Sequence, residues 1–100
     1  MNIEIKETVN GYQAQLCGWI DTAVATQFLE DLKPLKEHAD KSIEIDCEKL
    51  EYICSLGLRG LLTLRKESAA RGGTLVLTHV EGEIQKILTM TGFIKLFQIK

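Results

Sequence analysis

A chain of 100 residues with 45% apolar and 26% charged side chains has room for one hydrophobic core, which makes residues 1–100 a single globular domain and excludes intrinsic disorder. The formal net charge is −2, with Lys and Arg scattered among Asp and Glu, so no basic stripe exists and nucleic acid is not an expected partner. No apolar run reaches bilayer-crossing length and residues 1–7 lack the apolar core of a signal peptide, so the expectation is a cytoplasmic protein without direct membrane insertion.

Residues 3–9 alternate in polarity, with Ile3, Ile5 and Val9 on one face, and Asn10-Gly11 follows at once as a hairpin signal. The partner strand, residues 12–17, sets Tyr12, Ala14 and Leu16 on one face and is expected to end at Gly18 and to pair antiparallel. Asp21 precedes Ala23, Ala25, Phe28, Leu29, Leu32 and Leu35 at helical spacing, which makes it the candidate N-cap. Pro34 lies inside that run and predicts a kink or an early end.

Next, Ile43, Ile45 and Cys47 alternate with Glu44, Asp46 and Glu48, the period-two pattern of a half-buried strand. From Leu58 the period changes: Leu58, Leu61, Leu62 and Leu64 follow a helix that closes at Gly72-Gly73. Residues 52–57 read as the loop between them, placing a hydroxyl and a glycine where the unpaired N–H groups of a first helical turn point outward. That predicts a site for negative charge. Leu75, Val76 and Leu77 predict a strand covered on both faces or lying deep in a parallel sheet, residues 81–90 a helix stopped by Gly92, and residues 93–99 a last edge strand. A hairpin followed by alternating helices and strands predicts an α/β fold with a mixed sheet of about five strands and about three main helices.

No metal-ligand cluster, phosphate cradle or nucleophile-base pair is evident in the chain, so no cofactor, no metal and no enzymatic activity are expected. His38 and His79 stand alone and read as solvent-facing turn residues. Cys17, Cys47 and Cys54 are odd in number without a C-x-x-C pair, hence free thiols. The dipole of the following helix would favour a Cys54 thiolate, but the preferred reading is a small buried residue. Ser55 either caps that helix or carries a modification. Leu56, Leu58 and Arg59 form an apolar pair beside a cation, the composition of an interface anchor and equally of core and rim packing.

Asp46, the segment Leu50-Glu51-Tyr52-Ile53-Cys54-Ser55-Leu56-Gly57-Leu58-Arg59, Arg65-Lys66 and Ala70-Arg71-Gly72-Gly73-Thr74-Leu75 together resemble the STAS domain family, the sulfate-transporter and anti-sigma-factor-antagonist domains. Gly18-Trp19-Ile20-Asp21 and Thr91-Gly92-Phe93-Ile94-Lys95-Leu96-Phe97 extend the resemblance over nearly the whole chain. It implies a STAS-like sandwich and a regulatory, protein-binding module similar to anti-sigma factor antagonists. Such a module would bind a serine-kinase-type anti-sigma factor, with a phosphatase as a further partner, and be switched by phosphorylation of Ser55. The partner-binding candidates are Asp21, Cys54, Ser55, Leu56, Gly57, Leu58 and Arg59. One departure matters. The commonest family motif has an aspartate and two serines before the glycine, whereas Cys54, Ser55 and Leu56 precede Gly57 here, so Ser55 matches the first serine and leucine occupies the second position. The alternative reading is therefore a STAS accessory subunit of a transport or membrane-associated complex, docking through the same residues and never phosphorylated.

Overall fold

The N-terminal alternation gives β1 (Ile3–Glu7) and β2 (Gly11–Ile20), paired antiparallel with Ile5 opposite Ala14, in a computed structural model that describes residues 2–100. The Thr8 N–H donates to the Gly11 carbonyl at 2.7 Å, so the tip of the hairpin is Val9-Asn10, one residue before the expected Asn10-Gly11. Gly11 serves packing instead. It lies opposite Ser42, and a Cβ there would stand 2.0 Å from the Ser42 carbonyl oxygen. Val9, expected on the buried face, is fully exposed at the tip.

Nor does β2 end at Gly18. Gly18 takes φ +74°, the pairing register shifts on both sides of it, and the strand continues to Ile20. The Asn2 amide supports the irregularity by donating to the Cys17 carbonyl at 3.0 Å. The irregularity keeps Leu16 and Ile20 in the core while Trp19 points outward.

Helix α1 (Thr22–Asp31) stops short of Pro34, which opens the short helix α2 (Lys33–Glu37) at its first turn, where a missing N–H costs nothing. Then come β3 (Ser42–Ile53), α3 (Ser55–Ala70), β4 (Thr74–Thr78), α4 (Gly82–Thr91), a short 3-10 helix (Phe93–Leu96) and β5 (Gln98–Ile99). The sheet runs β1-β2-β3-β4-β5, antiparallel at the first pair and parallel thereafter. Three successive right-handed crossovers moving the same way across a sheet put every helix on one face. The burial agrees: Ala14, Leu16, Ile43, Ile45, Leu75 and Leu77 are buried, whereas their alternates Gln13, Gln15, Glu44 and Val76 are partly exposed. Thus β4 is an inner strand covered on one face only.

Gly11→Ala tests this arrangement, because its methyl would meet backbone rather than a movable side chain. The expected cost is about 1–3 kcal/mol, seen as a melting temperature lower by about 4 °C or more. An unchanged melt would contradict the pairing of Gly11 with Ser42.

Candidate functional site

The carboxyl ends of β2 and β3 lie side by side, with Trp19 opposite Tyr52 and Ile20 opposite Ile53. The Cys54 N–H donates to the Ile20 carbonyl at 2.8 Å, and α3 begins at the next residue. The loop expected over residues 52–57 is therefore almost absent: Tyr52 and Ile53 belong to the strand, because β2 offers them a ladder, and Cys54 alone joins strand to helix. Gly57 makes so short a junction possible. A Cβ on it would lie 2.8 Å from Ile53 Cγ1 and 3.4 Å from Ile20 Cγ2, so the first turn of α3 rests directly on the two strand ends.

This geometry divides the predicted site residues. Ser55, Leu56 and Arg59 are exposed, and Asp21 stands exposed at the end of β2. Asp21 is the N-cap of α1 as expected, its Oδ1 accepting from the N–H groups of Ala23 at 3.1 Å and Val24 at 3.3 Å. Cys54, Gly57 and Leu58 are buried and do not reach the surface; Leu58 is only 1% exposed and belongs to the core. Leu58→Asp would therefore report on folding, since an unpaired buried carboxylate costs several kcal/mol. The N-cap of α3 is Cys54, whose side chain makes no capping bond, so Ser55 is the first helical residue rather than the cap. The first α-helical bond runs from the Leu58 N–H to the Cys54 carbonyl at 3.0 Å, which leaves the N–H groups of Ser55, Leu56 and Gly57 ahead of the ladder.

Three neighbours are absent from the residues predicted from sequence. Trp19 is 60% exposed and stacks on Tyr52 with ring centroids 5.0 Å apart, beside the junction. Its signal was available: Leu16 and Ile20 require the core, so a tryptophan between them and next to a glycine points out. Lys33 and Lys36 approach Arg59 across a groove between helices, a juxtaposition that no local pattern announces.

Fold and site define a two-layer α/β domain with an exposed helix N-terminus at the carboxyl ends of parallel strands. A family model described as "Mlab, STAS domain" matches residues 4–98, and the chain belongs to the STAS domain family. Two curated relatives of this chain carry anti-sigma factor antagonist names. It is 28% identical over 86 residues to BtrV of Bordetella bronchiseptica, to which an anti-sigma factor antagonist role is attributed, covering 86% of this chain and 74% of BtrV. It is 27% identical over 92 residues to the anti-sigma-B factor antagonist of Bacillus subtilis, covering 92% of this chain and 84% of that protein. The fold matches the anti-sigma factor antagonist SpoIIAA in its unphosphorylated form with a TM-score of 0.77 at 17% identity, over 98% of this chain and 87% of SpoIIAA.

Among the described residues no three metal-ligating side chains converge and no helix is long and apolar enough to cross a membrane. Burial, with the neighbouring Asp46 carboxylate, pushes the Cys47 thiol up to about 12, so it stays protonated and inert. Both histidines lie exposed in turns, but neither stands alone. His38 stacks on Tyr12 at 4.9 Å, and His79, held at φ +56°, places Nδ1 2.9 Å from Oδ1 of the buried Asp46. That hydrogen bond raises the His79 pKa above its usual 6.5; desolvation opposes it, and the charges of Asp46, Glu48 and Glu81 each add a smaller push upward. A raised folded-state pKa gives stability that is complete below about 6.5 and lost as pH climbs through the folded value. Accordingly, wild type and His79→Asn, a substitution that tolerates positive φ, should differ most in melting temperature at about pH 5–6 and converge by about pH 9. A difference that grows with pH would show that the pair does not act as an ion pair.

Proposed function

We propose that this protein binds a kinase-type anti-sigma factor in the cytoplasm through the exposed first turn of α3 and is released by phosphorylation of Ser55, a phosphatase restoring the binding form. One observation carries the reading: Ser55 is an exposed first helical residue whose hydroxyl makes no hydrogen bond among the described residues, with Leu56 and Arg59 exposed around it. Leu56, 39% exposed, supplies an apolar contact, Trp19 an aromatic anchor, and Arg59 and Asp21 opposite charges at the margin.

A phosphate on Ser55 adds close to two negative charges beside free N–H groups and the positive end of the α3 dipole. Arg59 lies four residues on, one helical turn away on the same face, where it can pair with that phosphate. The folded state therefore accommodates the modification. A partner's apolar or acidic surface does not, because an unpaired phosphate buried there costs several kcal/mol, on the order of a hundredfold in affinity. Leu56 favours a second reading. With leucine where a second serine is common, the same face also suits a STAS accessory subunit that docks permanently and is never modified.

Ser55→Asp is expected to melt within a few degrees of wild type and to lose its partner, while Ser55→Ala binds constitutively and accepts no phosphate. Affinity capture from native cells, with intact-mass analysis of the endogenous protein, reports partner and phosphate together. Phosphate on another residue, or undiminished binding by Ser55→Asp, would leave the accessory role as the better account. Arg59→Glu, at an exposed site, should weaken capture about tenfold or more without altering the circular dichroism.

A further inference from the structure

An open groove of about 320 Å³ runs between α1–α2 and α3, next to the first turn of α3. Leu29, Leu32 and Leu64 line it, and Lys33, Lys36 and Arg59 supply its cations. Packing closes its floor: a Cβ on Gly60 would stand 2.2 Å from Leu29 Cδ2, so α1 and α3 are in close contact there. Hydrogen bonds fix its walls. Arg71, capping the end of α3, donates to the carbonyls of Lys36 at 2.9 Å and Glu37 at 3.4 Å and faces Asp40 at 3.7 Å, which ties the end of α2 to the end of α3. Lys33 is paired with Glu30 at 2.8 Å, but neither Lys36 nor Arg59 forms an ion pair among the described residues. A chain of net charge −2 thus gathers three cations around an apolar trough.

We propose that this groove receives an amphipathic helix of the protein partner, with an apolar stripe flanked by Glu and Asp. The inference rests on the reading of the α3 first turn as a docking face, because Leu56 and Arg59 belong to both surfaces. A trough bounded by two helices matches a third laid along it, with apolar side chains one turn apart on the leucines. The rim decides the charge: carboxylates on the incoming helix pair with Lys36 and Arg59, whereas a basic helix meets like charge. Arg59 also links groove and switch. Paired with a phosphate on Ser55, it is withdrawn from the rim, and the acidic helix loses one of its partners.

The test uses a synthetic helix of ~16 residues with leucines at i, i+3, i+4 and i+7 and glutamates on both flanks, titrated into the full-length ¹⁵N-labelled protein. A control peptide has every glutamate replaced by lysine. The amide shifts of wild type are expected to centre on Leu29, Lys33, Gly60 and Thr63, and Lys33→Glu/Lys36→Glu, altered only at exposed positions, should bind about tenfold more weakly or worse while keeping its circular dichroism. Absent shifts, shifts centred on Trp19 or the open sheet face, or equal binding by the lysine control or the double variant would overturn the groove assignment. Its failure is distinguishable from failure of the proposed function. If the double variant keeps an anti-sigma factor that Ser55→Asp loses, the groove falls and the switch stands; if the peptide maps to the groove while no anti-sigma factor binds, the groove stands and the partner's identity falls.

Discussion

The exposed surface at the first turn of α3 depends on the contact between Gly57 and the side chains of Ile53 and Ile20. Because the first turn of α3 sits directly on the strand ends, a single residue, Cys54, suffices between strand and helix. The helix is then held at one height and one rotation. That rotation turns Leu58 inward and Ser55, Leu56 and Arg59 outward, and it leaves the N–H groups of the first turn ahead of the helical ladder. A glycine inside a helix costs about 1 kcal/mol relative to alanine. Here that cost is offset by an approach that a methyl group would prevent.

The two faces of the sheet do different work. The covered face supplies the core, and the helices packed on it supply the groove and the first turn of α3. The open face satisfies its own polar groups: Gln13 Nε2 donates to Glu44 at 2.8 Å, Gln15 Nε2 reaches Asp46 at 3.5 Å, and Asp46 also accepts from the Glu48 N–H at 3.0 Å and pairs with His79. Groups already bonded to one another gain little from a partner, since binding would only exchange one set of hydrogen bonds for another. Lys36 and Arg59, without ion pairs among the described residues and close to exposed Leu56, gain more.

Much of this was legible in the sequence because local period and tertiary burial coincide. Ile43 and Ile45 against Glu44, the leucines of α3, the Asp21 cap and the glycine stops at Gly72 and Gly92 all read correctly, and Pro34 marked a real break. The errors arose where a distant strand decided the outcome. Residues 52–57 read as a loop because nothing local shows that β2 continues past Gly18 to pair with Tyr52 and Ile53. Asn10-Gly11 was displaced by one residue because Ser42 needs a glycine opposite it. Leu58 was grouped with Leu56 and Arg59 by adjacency, although each helical step turns the side chain by about 100°. The basic rim was invisible for a simpler reason: Lys33 and Lys36 meet Arg59 only after two helices have packed.

The junction at Cys54 also bears on how the molecule comes into being. The β1–β2 hairpin closes locally, but the bond from Cys54 to Ile20 joins segments separated by a whole crossover, and parallel pairings of that kind form late because chain closure must precede any contact that rewards it. The outward surface of α3 therefore exists only once β2, β3 and the crossover helix have all assembled. A nascent or partly unfolded copy has Ser55 in its sequence but no platform on which to present it. Presentation of Ser55 at the surface is thus coupled to completion of the sheet.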